Sequence, residues 1–160
     1  MKRYTQLKDY FYKTLEKSTA GIYKQKAYFH SIQVAQIMMT LSKERQLDLE
    51  LSAIIGLFHD YAQFIRLSSF NHAKYSSEMV LEILQQYAFD DEEIKIITTA
   101  ILNHSDKDIT HDAYSEMIKD ADLLVKYYDD PSTIFKPYEE ERIKNGLFEY
   151  TVASLNLEIP

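Results

Sequence analysis

Ile54-Ile55-Gly56-Leu57-Phe58-His59-Asp60 is an apolar run that ends in two adjacent metal-capable side chains. Asp48 stands where an N-cap belongs, and the segment from Leu49 to His59 is apolar nearly all round. That composition marks a central, buried helix. A carboxylate at the end of such a helix is costly to bury unless it is paired or bound to a metal. One His-Asp dipeptide can arise by chance, but this one has company. His30 sits in Ala27-Tyr28-Phe29-His30-Ser31-Ile32-Gln33-Val34-Ala35, and His72 in Asn71-His72-Ala73-Lys74-Tyr75. His104 closes Ala100-Ile101-Leu102-Asn103-His104-Ser105, and Asp120 and Asp122 frame Lys119-Asp120-Ala121-Asp122-Leu123-Leu124. Each falls inside, or at the edge of, a segment that reads as a helix.

Outward from this centre, residues 4 to 17 place Tyr4, Leu7, Tyr10, Phe11 and Leu15 at helical spacing, and Ser18-Thr19-Ala20-Gly21 breaks that helix. A second helix runs from about Gln25 to Glu44, with Ala27, His30, Val34, Ile37, Met38 and Leu41 on one stripe. Residues 61 to 70 read as a connection. Asn71 is the expected cap of a helix from His72 to Tyr87. Asp90-Asp91-Glu92-Glu93 forms an acidic first turn that suits the helix dipole and opens a helix ending near His104. Beyond the polar loop Ser105-Asp106-Lys107-Asp108, a further helix starts at Thr110 or His111, reaches Tyr128 and is stopped by Asp129-Asp130-Pro131. A short helix around 138–147 completes the chain. With only three glycines and three prolines there is little of the turn chemistry that hairpins need. The expectation is an all-α fold: a single-domain bundle of about six to seven helices over residues 1–160.

The chain has 160 residues, 46% of them apolar, which is enough for a core of useful size. A formal net charge of −7 argues against a nucleic-acid polymer or an anionic membrane as the main partner. A nucleotide stays open, because a bound cation can supply positive charge locally. The absence of cysteine excludes disulfides and thiolate metal sites. Met1-Lys2-Arg3-Tyr4-Thr5 leads into a polar amphipathic stretch rather than a signal-peptide apolar region. No apolar run approaches the roughly 20 residues of a membrane span. The expected location is cytoplasmic.

Imidazole and carboxylate ligands without sulfur suit Mn, Fe, Co, Ni, Zn or Mg. On a helix, adjacent side chains diverge by about 100°. His59 and Asp60 can therefore share one ion only if it sits beyond the helix end, where the backbone turns away. Water on such an ion has a lowered pKa and becomes a nucleophile near neutral pH.

The order His30, His59-Asp60, Asp122 resembles the HD-domain superfamily of metal-dependent phosphohydrolases over residues 25 to 130. The segments quoted above around His30, His59, His72, His104 and Asp122 resemble the corresponding family segments. The resemblance implies that His30, His59, Asp60 and Asp122 bind a divalent metal. Asp120 competes for the last place, and Asp122 is preferred because it occupies the Ala-Asp position. His72 and His104 match positions that bind a second, Asp-bridged metal in some members and contact phosphate or water in others. Asp60, His72 and His104 are thus the candidate catalytic residues, with one or two ions per chain.

Where many members carry a basic residue after the His-Asp pair, this chain has Tyr61-Ala62-Gln63, with Arg66 or Lys74 as possible replacements. A further family Asp is replaced by Leu124 and Val125. The implied activity is hydrolysis of a phosphomonoester or phosphodiester, with a nucleotide as the expected small-molecule substrate. The rival is a regulatory module that binds metal and nucleotide without turnover; a structural helical adaptor is third. His111-Asp112 is a second His-Asp pair, but no apolar run precedes it, and it reads as loop plus helix start.

Overall fold

The structure, a computed structural model, describes residues 1–18 and 20–155. Among these residues there are eight helices and no strand: α1 (Lys2–Ser18), α2 (Gly21–Glu44), α3 (Leu49–Phe58), α4 (Tyr61–Arg66), α5 (His72–Leu84), α6 (Asp91–Asn103), α7 (Ala113–Asp129) and α8 (Pro137–Leu155). The fold is all-α, with seven longer helices and the six-residue α4. Thr19, within the predicted break, and the last five residues of the expected tail lie outside the described residues.

The central element is α3. Every residue from Leu51 to Phe58 is buried, and Asp48 caps the helix by accepting a hydrogen bond from the Leu51 N–H. Its most extensive partner is α2, with α1, α6 and α7 on its other sides. Gly56 sets that closeness. A Cβ there would lie 2.7 Å from Ala35 Cα and 2.8 Å from Ala35 N. Two backbones can approach this far only where one residue has no side chain. α5 pairs with α6, and α7 packs on α2, α6 and α3. α8 covers α7 and α2. The stripe expected on α1 is buried at Tyr4, Leu7, Phe11 and Leu15.

Several local expectations change: α2 begins at Gly21 and not near Gln25, and α7 begins at Ala113, after its Asp112 cap, and not at Thr110 or His111. Residues 61–66, read as connection, form α4; Tyr61 and Phe64 are apolar enough to be buried, and Phe11 and Phe58 flank the Tyr61 ring. Asn71 does precede α5, but its side chain makes no cap bond and its backbone is left-handed at φ 48°, a conformation that Asn tolerates better than most residues. α5 ends at Leu84 and not Tyr87. The last helix runs to Leu155, well past the expected 147. It is held by Arg142 and Glu149 pairing with residues of α7 and the α2 cap, contacts with no local periodicity to betray them.

Candidate metal centre

Each candidate residue is placed by the end or the inner face of a helix. α3 stops at Phe58, and Asp60 takes φ −105° and ψ 16° before α4 begins. The chain therefore leaves the helix at the His59-Asp60 pair, and both side chains turn into the same interior space. His30 reaches it from α2, His72 from the start of α5, His104 from the end of α6 and Asp122 from the middle of α7. His59, Asp60, His104 and Asp122 are buried, while the His30 and His72 side chains keep 15% and 22% exposure, so the cluster opens on one side.

The contacts fall into two groups that share Asp60. On one side, His30 Nε2 and His59 Nε2 stand 3.2 Å apart. Asp122 Oδ1 lies 3.4 Å from the former and 3.7 Å from the latter. Asp60 Oδ2 faces the same pair, 3.5 Å from His59 Nε2 and 3.9 Å from His30 Nε2. On the other side, Asp60 Oδ1 lies 3.1 Å from His72 Nε2 and 3.2 Å from His104 Nε2. Those two nitrogens are 3.1 Å apart. His30, His59 and Asp122 form one set of donor atoms close enough to hold a metal ion, and His59, Asp60 and His104 form another.

The donor chemistry fits a cation. His59 Nδ1 lies 2.8 Å from the Gly56 carbonyl, His104 Nδ1 2.7 Å from that of Ile101, and His72 Nδ1 3.0 Å from that of Ser69. A carbonyl only accepts, so each Nδ1 carries the proton and donates. In the neutral ring Nε2 is then a bare lone pair; those of His72 and His104 face each other, that of His59 faces His30 Nε2, and all three face carboxylate oxygens. Asp122 Oδ1 is buried and has no hydrogen-bond partner among the described residues. Such an arrangement is repulsive until something positive enters it, either protons or a metal.

The protonation tendencies point the same way. Burial alone would lower the His59 pKa, but the charges of Asp60 and Asp122 outweigh it and the net shift is upward. The Asp60 carboxylate raises His72. Burial dominates at His104 and lowers it. Burial would raise both carboxylates, yet His59, His104 and His72 hold Asp60 well below the usual range. Lys107, Lys126 and two imidazoles do the same for Asp122. Both acids stay ionised and are available as ligands.

Asp120 and Asp122 part company. Asp122 faces the histidines, whereas Asp120 is clamped by Arg45 and Arg142, each at 2.8 Å. The pair His111-Asp112 is remote in role as well: Asp112 caps α7 through the Tyr114 and Ser115 amides, and His111 Nδ1 meets Lys119 Nζ at 2.7 Å. Arg66 stacks on Tyr75 at 3.8 Å, and Lys74 is mostly exposed beside Glu78. Leu124 and Val125 are core.

Three residues at the centre were not singled out from the sequence. The Ser105 hydroxyl lies 3.2 Å from His72 Nε2. Lys107, buried in a loop, donates to the His104 carbonyl and to Asp122 Oδ2. Lys126 donates to the same oxygen at 2.7 Å. Only the last had a sequence signal, the i,i+4 spacing from Asp122. Beside the cluster lies a chamber of about 780 Å³ lined by His30, Asp60, Lys126, Lys26 and the rings of Tyr23, Phe29 and Phe64, among others.

The HD domain family model matches residues 27–132, a span that contains all six clustered residues. The chain belongs to the HD domain family. This is a family of metal-dependent hydrolases, in agreement with the resemblance drawn from the sequence. A crystal structure of a predicted HD superfamily hydrolase from an uncultured Thermotogales bacterium shares the fold, with a TM-score of 0.62 and 17% identity over 92% of this chain and 88% of the other. No curated protein matches the chain. Among the described residues of this HD domain protein, no helix is long and apolar enough to cross a membrane.

Proposed function

We propose that the chain acts, as one domain, as a metal-dependent phosphohydrolase on a phosphomonoester or phosphodiester, with a nucleotide as substrate. The observation that carries this reading is Asp60, whose two oxygens face two separate histidine pairs. His30, His59, Asp60 Oδ2 and Asp122 Oδ1 would hold a first divalent ion. Asp60 Oδ1, His72 and His104 would be the donors for a second, if one binds. A divalent ion bound here supplies a water of lowered pKa and polarises a phosphoryl oxygen.

The chain's own residues do the rest. The backbone carbonyls of Gly56, Ile101 and Ser69 fix the tautomers of His59, His104 and His72, so that each Nε2 stays a donor of electrons rather than of a proton. Lys107 and Lys126 occupy Asp122 Oδ2 and leave Oδ1 for the ion. With only the first ion bound, His72 Nε2 would be free to carry a proton, and this partly exposed ring beside the Ser105 hydroxyl would then hand it to a departing oxygen. Support for a nucleotide comes from the chamber, where Tyr23, Phe29 and Phe64 offer ring faces against which a base can stack.

The test is product release from a panel of nucleotides and cyclic dinucleotides, with Mn, Co, Ni, Mg and Zn added separately and Asp60→Ala run in parallel. The expected result is turnover in the parent, with both metal and turnover lost in the variant while its helical circular dichroism persists. Full metal content in Asp60→Ala would refute the ligand set.

One observation favours a second reading. Tyr61-Ala62-Gln63 places no cation directly after Asp60; Gln63 Nε2 sits 3.4 Å from Asp60 Oδ2 instead. A regulatory module that binds nucleotide and metal without turnover would show tight nucleotide binding and no product under any of the metals.

A further inference from the structure

Asp122 Oδ2 carries two ammonium groups, although one carboxylate needs only one to balance its charge. The two lysines are not equivalent. Lys107 is 8% exposed, and besides Asp122 Oδ2 at 2.8 Å it donates to the His104 carbonyl at 3.1 Å. It is fixed from two sides inside the protein. Lys126 is 47% exposed. Among the described residues it donates to Asp122 Oδ2, at 2.7 Å, and it lines the same chamber as His30 and Asp60.

If Lys126 turned away, Asp122 would keep Lys107 and would not become an unpaired buried charge, the outcome that makes such departures expensive. The site can therefore release Lys126 and cannot release Lys107. A lysine ammonium on its flexible stem, with three rotatable donors, suits an anion that arrives and leaves. It stands one carboxylate away from Asp122 Oδ1, the atom that faces His30 and His59.

We propose that Lys126 is the phosphate-binding residue of this site: it moves its donors from Asp122 to a non-bridging phosphoryl oxygen of the bound ester, while Lys107 keeps Asp122 in place. The inference rests on the phosphohydrolase reading above and names the protein group that meets the substrate's phosphate. Lys74, the alternative named from the sequence, is mostly exposed beside Glu78 and does not line the chamber that holds Lys126.

The experiment titrates inorganic phosphate into the full chain loaded with Mn, followed by calorimetry, with Mn content measured on the same samples. The variants are Lys126→Met, Lys126→Arg and, as control, Lys74→Met. Lys126→Met is expected to keep its Mn and its thermal midpoint and to bind phosphate roughly ten- to a hundredfold more weakly, as loss of a charged hydrogen bond implies. Lys126→Arg is expected to recover most of that affinity, and Lys74→Met to match the parent. Unchanged phosphate affinity in Lys126→Met overturns the inference and leaves the phosphohydrolase reading standing. Loss of Mn from Lys126→Met also overturns it, because the lysine would then serve Asp122 and not the phosphate. A parent protein that holds Mn but binds no phosphate sinks both.

Discussion

At Gly56 two opposed effects can be weighed. Replacing a helical glycine by alanine ordinarily gains about 1 kcal/mol of helix propensity. Here the new methyl would meet Ala35 Cα at 2.7 Å, Ala35 N at 2.8 Å and the Val34 carbonyl carbon at 3.0 Å. All three are backbone atoms of α2, so relief requires the two helices to separate. Overpacking of that kind costs about 1–3 kcal/mol, and it outweighs the propensity gain. Separation also disturbs chemistry, since α2 carries His30, whose Nε2 lies 3.2 Å from His59 Nε2, and the Gly56 carbonyl orients His59 at 2.8 Å. Gly56→Ala is therefore expected to lower the urea midpoint and to weaken Mn binding together. A variant with the parent midpoint would show that the helices have room to spare. The same residue shows where sequence reading stops. The buried helix and the His59-Asp60 pair were visible as an apolar run that ends in two polar groups. That Gly56 is the contact point with α2, or that Lys107 reaches Asp122 from a loop, depends on which elements meet in space, and no periodicity encodes it.

Among the elements, α8 is the one whose extent was misjudged, and the reason is electrostatic. Its residues show little apolar patterning, so only about half its length was expected to be helical. What holds it is a set of ion pairs centred on α7: Arg142 bonds Asp120, Glu116 and the Lys107 carbonyl, and Glu116 also takes Lys119, a fully buried lysine, at 2.7 Å. Burial would raise the Glu116 pKa, but the bonds from Lys119, Arg142 and the His111 amide prevail and bring it down to about 2. A depressed carboxylate pKa stabilises the fold above the unfolded-state value and loses that contribution as pH falls towards the folded-state value. For Glu116 the window runs from the ordinary carboxylate range, about 4.3, down to about 2. Glu116→Gln is thus expected to be less stable than the parent at neutral pH, with the gap closing as both are acidified through that window. Urea midpoints at several pH values measure it. A gap that stays constant down to the lowest pH would mean that Glu116 stabilises through shape rather than charge. By contrast, α3 and α6 were legible at their starts, from the Asp48 cap and from the acidic run at 90–93, in which the structure adds a capping box between Asp90 and Glu93.

Taken whole, the molecule gathers four imidazoles and two carboxylates from four helices and the α3–α4 joint into one cluster, and that arrangement has a thermodynamic consequence. The grouping was readable from sequence because each segment pairs a metal-capable residue with an apolar helix face. A second group of donors sharing Asp60 was implied by the family resemblance as one alternative, whereas the turn of one Asp60 oxygen to each histidine pair depends on the rotamer of one side chain, which no pattern encodes. Bringing these donors together costs folding energy through desolvation and lone-pair repulsion. A cation that fills the cluster removes that cost only in the folded state, since the unfolded chain has no preformed site. Added metal should therefore raise stability by mass action, by about 2.7 kcal/mol at a free concentration a hundred times its dissociation constant. For a chain of this size 1 kcal/mol corresponds to roughly 2–4 °C, so a rise in Tm of about 5–11 °C is expected on adding Mn, Co, Ni or Zn. A chelator should reverse it, and Asp60→Ala should abolish it, because the Asp60 carboxylate faces both histidine pairs. Differential scanning calorimetry with and without each ion reads this directly and needs no substrate. If no ion shifts the Tm, protons rather than metal neutralise the cluster. The raised His59 and His72 would then be the positive charges that hold Asp60 and Asp122 in place, and stability would fall as pH rises and those imidazoles lose their protons.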